Sequence, residues 1–375
     1  MLGRPGTLLS GDSRSGAALS LNFLGGTLPG QVSFTRASAA NYFNNAGLLT
    51  SATINVPRFD YNPATLALNG LLIEQASTNS ALWSRDLTNA AWTTLLGTAA
   101  KDQTGIDGVA SSASSFVATS GNATTLQTVT HVSSTDNYAV WLKRITGTGE
   151  IDITLDGGVT WTNVTAQINS STWTRVTANE STVVNPAIGL RIVTNGDKIA
   201  VDQNQLEIGQ NFATSDIITT STAAPRSADV ASIATTSFAW SAAAGAAMVK
   251  LIGLNAAGTP RTLGTNAASN ALALLFGLTS AGFFDGASVT ISVGSGSLGV
   301  VNKQGSSWGP SRSAVAFNGS SVVDGGVPNA ANMAQITTLM IGAAGAGSSY
   351  GNGWYQAVQI FNRQPSDGQL QALTH

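Results

Sequence analysis

The sequence predicts an all-β protein. It reads as an N-terminal arm and a small β-subdomain, then two antiparallel β-sandwiches of jelly-roll type, and one short C-terminal helix. Three observations carry this. Apolar residues fall in short bursts and in period-two alternation, with no helical-length amphipathic stretch through the early chain. Charged residues are 10% of the chain, against roughly 25% in typical soluble domains, so the Lys and Glu side chains that suit exposed helices are scarce. The 41 glycines supply frequent turns. Hydrophobic content of 43% with eight tryptophans is enough to bury cores and argues against disorder.

At 375 residues the chain has room for two or three domains. Residues 1–31 hold one apolar run, Ala18–Leu24. They are expected to be an attachment arm that orders on docking, with that run as its single strand. The alternative is a strand that closes the next domain.

Residues 32–79 are a small β module. It contains Ser33-Phe34-Thr35-Arg36-Ala37-Ser38, then Val56-Pro57-Arg58-Phe59-Asp60-Tyr61-Asn62-Pro63, and closes on Gly70-Leu71-Leu72-Ile73-Glu74 with Ser77-Thr78-Asn79. In an extended segment Phe59 and Tyr61 share one face, as core residues. Arg58 and Asp60 share the other, placed to hold each other or a neighbouring chain. Arg36, Arg58 and Asp60 are therefore the expected attachment or assembly residues.

Residues 80–210 predict the first sandwich. Tyr138, Val140 and Leu142 alternate with Ala139, Trp141 and Lys143, and Ile151, Ile153 and Leu155 with Asp152, Thr154 and Asp156. Asp156-Gly157-Gly158 is a turn. Further strands are expected at Trp173–Val176, Ile188–Val193, Ile199–Asp202 and Leu206–Gly209. Residues 211–228 read as a linker. Residues 229–375 form the second sandwich, ending in a helix capped by Ser366 with Gln369 three residues on.

The segments 33–38, 57–63 and 70–79 closely resemble a module of structural proteins of tailed bacteriophages and prophages. There an "FTRAS" segment is followed by "PRFDYNP" and "GLLIE...TN". The resemblance continues through Leu82-Trp83-Ser84, Leu206-Glu207-Ile208-Gly209 and Arg226-Ser227-Ala228-Asp229-Val230, and so covers most of the chain. It implies a carbohydrate-binding-module-like β-sandwich followed by a concanavalin A-like (laminin-G-type) lectin domain. It also implies a virion appendage, usually trimeric, of tail-fibre or head-fibre type.

Chemistry is sparse. His131 and His375 are the two histidines, and neither has the glycine elbow or partners of a nucleophilic triad. Glycoside hydrolysis needs two carboxyls about 5–10 Å apart. The candidate pairs are Asp152 with Asp156, Asp202 with Glu207, and Asp285 with Asp324, the first of which reads as a solvated strand face. No catalytic residue is assigned. Cysteine is absent, so there is no disulfide or thiolate metal site. Calcium is conceivable at Asp202 or Asp324, but no ligand spacing supports it, and no cofactor or metal is expected.

Sugar binding asks for less: flat aromatic faces and a few polar groups. Trp141, Trp161 and Trp173 in the first sandwich and Trp308, Tyr350 and Trp354 in the second are candidates. The expected ligand-binding set is Trp308, Tyr350, Trp354 and Trp161. Trp308, in Gly305-Ser306-Ser307-Trp308-Gly309-Pro310, heads it as a loop aromatic. The alternative is a plug in the sandwich mouth.

The formal net charge of −2 and the absence of a basic cluster exclude nucleic acid as a partner. The apolar run 271–278 is too short to span a bilayer. The N-terminus lacks a signal-peptide pattern, which suggests synthesis in a host cytoplasm and release by lysis to a virion surface. The expectation is a homo-oligomeric, trimeric appendage touching other virion proteins through its N-terminal region and host-surface glycan without catalysis. Its rivals are a head fibre or capsid-decoration protein and a glycan-hydrolysing tailspike.

Overall fold

The computed structural model describes residues 16–255, 260–266, 272–287, 290–345 and 349–375. The chain is nearly all β and divides into two compact units. The larger comprises 34–231 with 352–354, and the smaller comprises the described residues within 1–33, 232–351 and 355–375.

The larger unit contains two five-stranded antiparallel sheets. One runs Thr174–Val183, Ser134–Thr146, Lys198–Ile208, Ala113–Ala118, Gly97–Gln103. The other runs Thr162–Asn163, Ile151–Thr154, Ala187–Ile192, Ala123–Thr128, Thr93–Leu95. Period-two alternation sends Tyr138, Val140 and Leu142 of one sheet and Ile151, Ile153, Ile188, Leu190 and Ile192 of the other into a shared core, all fully buried. Each such side chain contributes about 1.5–3 kcal/mol by leaving water. Tyr138 spends its hydroxyl inside, donating to Asn204 Oδ1 at 2.6 Å.

Residues 34–79 of the small β module and the linker 211–228 are part of this same unit. The hairpin of Ala40–Phe43 with Leu49–Ala52 lies on the outer face of the first sheet. There Phe43, Leu49, Ile106 and Trp141 form a second small core, with the Phe43 and Trp141 rings edge-to-face at 5.3 Å. The linker's Ala224–Arg226 pairs with Ser77–Asn79 as a strand, so it is folded structure.

The polar face expected at 58–61 is inverted. Arg58 and Asp60 point inward, at 0% and 6% exposure, while Phe59 and Tyr61 are half-buried. Arg58 Nη2 donates to Glu74 Oε2 at 2.9 Å and to Asp229 Oδ2 at 2.5 Å, and its Nη1 donates to Ser215 Oγ. Arg36, also buried, donates to Asp229 Oδ1 at 3.1 Å and to the carbonyls of Ser38, Ala52 and Thr53. Arg226 lies 3.5 Å from Glu74. Arg36, Arg58 and Asp60 are thus internal ties, and the expectation that they meet a neighbouring chain is corrected. A buried charge is tolerated only when paired and hydrogen-bonded, and these motifs supply that pairing for one another.

In the smaller unit, Gly245–Gly253 pairs with Val301–Trp308, which continues to Ser313–Phe317 and Val323–Gly325. The opposing sheet contains Thr338–Ile341, Arg261–Thr265, Ala273–Phe276, Ala281–Phe284 and Thr290–Val293. Gln304 joins them, accepting from Thr262 Oγ1 at 2.6 Å and donating to the carbonyls of Gly277 and Ser280. The strand Leu19–Asn22, expected in an arm, pairs antiparallel with the last strand, Leu19 opposite Ile360. Residues 1–15 of that arm lie outside the described residues.

The terminal helix Asp367–Thr374 has the capping box expected at Ser366 and Gln369. Leu370 packs on Ala314 and Ala316. A second helix, Ala330–Ala334, was not anticipated. It is too short to show a periodic pattern.

Candidate functional site

The candidate site lies on the outer face of the second sheet of the larger unit. Because Ile151 and Ile153 point inward, Asp152 points out, and the register sets Asn163, Asp152, Arg191, Thr124 and Leu95 in one row across five strands. Asp152 is 1% exposed, which corrects the solvated-face reading, and Arg191 is what covers it. Arg191 donates to Asp152 Oδ2 through Nε at 2.9 Å and Nη2 at 2.7 Å, and reaches Glu150 Oε1 at 3.4 Å. Burial pushes the Asp152 carboxyl up and Glu150 adds to this, against the pull of Arg191.

Trp161 completes the face. The Arg191 guanidinium sits 4.6 Å from the centre of its ring, a cation–π contact. The loop that delivers Trp161 is built on Asp156, whose Oδ1 accepts from Thr154 Oγ1, Gly158 N and Thr160 N. Burial would raise the Asp156 carboxyl, but those donors hold it below its usual range. Gly157 and Gly158 turn with φ of 75° and 91°. A Cβ on Gly158 would lie 2.5 Å from the Trp161 ring, so only glycine leaves room for the indole.

Four of the eight tryptophans bond their indole N–H inside the protein. Trp92 donates to Trp83 O, Trp141 to Asp216 Oδ1, Trp308 to Ser241 O and Trp354 to Asp60 Oδ2. Trp161 and Trp173 make no such bond among the described residues, and both are half-buried. Trp173 carries Lys143 over its ring at 5.1 Å, so an aromatic–cation pair sits on each sheet of this sandwich.

The other expected ligand residues fall elsewhere. Trp308 is not in a loop. It ends the strand Val301–Trp308 at 1% exposure, its ring centre 5.4 Å from that of Trp240 at a tilt of 38°, and the expectation of an exposed loop platform is corrected: the indole is buried. Trp354 is half-buried and tied at 2.8 Å to Asp60. Burial lifts the Asp60 carboxyl to about 6 against the donors Phe43 N and Trp354 Nε1 and the attraction of Arg58. Tyr350 is half-buried and bridges to Arg261. Of these four residues, Trp161 is the one under a guanidinium, that of Arg191.

The carboxylates proposed for catalysis or calcium are already engaged. Asp202 is gripped by Arg85 Nε and Nη2, both at 2.8 Å. Glu207 accepts from Ser77 Oγ, Thr214 N and Thr214 Oγ1. Asp285 accepts from Ala287 N and Asn329 N, and Asp324 pairs with Arg312. Among the described residues no three acidic or histidine side chains cluster as metal ligands. No described helix is long and apolar enough to cross a membrane.

Sequence reasoning missed Arg191, Glu150 and Asn163 as site residues. Arg191 reaches Asp152 only through register between strands 39 residues apart in sequence, and Asn163 through the pairing of its strand with Asp152, which no local pattern encodes.

No protein-family model matches the chain, and no curated protein matches it. Among solved structures, the chain is similar to the CBM40 of the Ruminococcus gnavus IT-sialidase bound to α2,3-sialyllactose. Identity is 12%, with 36% of this chain and 84% of that chain covered, at a TM-score of 0.28. The CBM22-1 xylan-binding domain of Paenibacillus barcinonensis Xyn10C is 11% identical over 36% of this chain and 98% of that one, with a TM-score of 0.25. A Trypanosoma rangeli sialidase in complex with sialic acid is 13% identical over 61% of this chain and 33% of that one, with a TM-score of 0.31. Likeness at this level says nothing of what this chain binds.

Proposed function

We propose that the chain is a non-catalytic, glycan-binding structural protein of a phage virion, a surface appendage of tail-fibre or receptor-binding type. The observation that carries the sugar-binding part is Trp161: an indole whose N–H has no partner among the described residues, packed against Gly158 and under Arg191, which also binds Asp152 and reaches Glu150. A restrained aromatic with a guanidinium over its ring, itself held by carboxylates, suits a pyranose ring and its hydroxyls. The sequence resemblance supports the virion setting, with synthesis in the host cytoplasm and release by lysis. Engagement of the candidate carboxylates by arginines and backbone donors favours binding over hydrolysis.

On this reading the protein is a homo-oligomer, a trimer, joined to other virion proteins through its N-terminal region. From 15 to 84 the chain carries four charged residues, Arg36, Arg58, Asp60 and Glu74, all buried. Leu48, Ile54, Val56 and Leu66 of that stretch are exposed at 38–58%, a surface that presents no like charges to a second copy. The same feature favours a second reading, a head fibre or decoration protein whose sandwiches serve assembly. A glycan array probed with wild type and Trp161→Ala, together with imaging of labelled particles, tests both. Array binding lost in the variant and label on the tail support the first reading, and no array binding with label on the capsid replaces it with the second.

A further inference from the structure

The smaller unit holds a charge that no acidic group among the described residues neutralises. Arg261 opens the strand Arg261–Thr265 and is 9% exposed. No carboxylate of the described residues lies within ion-pair reach of it, and the internal segments outside the description (256–259, 267–271, 288–289, 346–348) contain no Asp or Glu. Its Nε is buried without any hydrogen-bond partner. Every other arginine among the buried side chains, Arg36, Arg58 and Arg226, has a carboxylate within 3.5 Å. Arg261 alone breaks that pattern.

Its surroundings are shaped for a ligand. The guanidinium lies 5.4 Å from the centre of the Phe276 ring, whose residue is its cross-strand partner, a cation–π contact that backs the fork with an aromatic. Tyr350 bridges to Arg261 along the backbone, and Arg261 N donates to Ser349 O at 2.9 Å. Both Phe276 and Tyr350 are half-buried and Ser349 is exposed, so the group sits near the surface. A buried, unpaired cation is costly, and an oxyanion placed on its fork by two parallel N–H bonds removes that cost.

We infer that Arg261, backed by Phe276 and beside Tyr350, is the anchor of a second binding site that takes an oxyanion-bearing ligand, such as an acidic sugar. This goes beyond the Trp161 reading and stands on a different unit, so either fails without the other.

The test uses the full chain in low-salt buffer, titrated with trigalacturonate, its methyl ester, inorganic phosphate and sulfate. The comparison proteins are Arg261→Met, Arg261→Lys and, as a control for general surface charge, Lys250→Met. Saturable binding of trigalacturonate but not of its methyl ester, weakened at least tenfold in both Arg261 variants and unchanged in Lys250→Met, supports an acidic-sugar site. The same pattern with phosphate or sulfate alone supports an oxyanion site of simpler ligand. A Tm for Arg261→Met no lower than the parent's accompanies either result, since the methionine removes an unpaired buried charge. No anion binding, or equal binding by the Arg261 variants, overturns the site. So does equal binding of the methyl ester. If Arg261→Met melts well below the parent and Arg261→Lys still binds fully, the arginine is a packing residue and the inference fails.

Discussion

Arg58 and Asp229, 171 residues apart in sequence, meet at 2.5 Å between Nη2 and Oδ2 with both side chains fully buried. That contact closes a network in which the motif arginines and acids from 36, 58, 74, 226 and 229 satisfy one another. It holds the small N-terminal β module and the segment after the sandwich together as one unit.

Breaking this network from one side should cost far more than a surface ion pair. Asp229→Ala leaves Arg36 and Arg58 buried without their shared partner and should destabilise the larger unit by about 3–5 kcal/mol. Chemical denaturation followed by tryptophan fluorescence measures it. A loss under 1 kcal/mol would show that water or local rearrangement replaces the carboxylate.

The same region sets a pH dependence. Burial, the largest influence on Asp60, lifts its carboxyl from 3.8 to about 6. A raised folded-state value means the folded form holds the proton more tightly, so Asp60 contributes stability that is complete below pH 3.8 and lost as pH rises to 6. That rise corresponds to roughly 3 kcal/mol. Glu74 runs the other way. Burial alone would raise it, but Arg226 and Arg58 hold it at about 2 against a usual 4.5. Its contribution is present above pH 4.5 and lost as pH falls towards 2. Asp60→Asn should therefore gain on wild type between pH 4 and 6, read as ΔTm against pH, and a flat difference contradicts the assignment.

The all-β class and most sandwich strands were legible in the sequence because alternation such as Tyr138, Val140, Leu142 directly encodes which face is buried. The Ser366 capping box was legible because it is a local signal. What failed was long-range. The alternation at 58–61 correctly paired Arg58 with Asp60 on a face but not which face was inside, since the partners Glu74 and Asp229 come from other segments. Trp308 looked like a loop residue because its flanking Gly and Ser residues hide a strand, and the flanking glycines are there for close packing: a Cβ on Gly305 would lie 2.8 Å from Thr374 and one on Gly309 2.1 Å from Gln364. The Trp161 face depended on strand register.

Trp308→Ala should cost about 3–5 kcal/mol, unfold the smaller unit first, and leave glycan binding unchanged in the folded protein. Differential scanning calorimetry with an array readout checks both halves. Loss of binding at an unchanged melting profile would restore the ligand role that its burial argues against.

The terminal helix is a structural clasp. Ser366→Ala should cost about 1 kcal/mol through the lost cap, and Leu370→Ala about 2–5 kcal/mol through the cavity it leaves. Neither should alter sugar binding. A binding defect at wild-type Tm would contradict this.

Gly158→Ala tests the loop that presents Trp161. The left-handed backbone adds about 1–2 kcal/mol of strain, and the new methyl displaces the indole. Sugar binding should fall while the fold persists, and unaltered binding would mean that the indole's position is immaterial.

The most direct test of the account is titration of wild type and Trp161→Ala with a host-surface oligosaccharide selected on an array, with reducing ends assayed in the same samples. The account predicts saturable binding by wild type, at least tenfold weaker binding by the variant at an unchanged Tm, and no new reducing ends. Equal affinity in the two proteins, or accumulation of reducing ends with wild type, would contradict it.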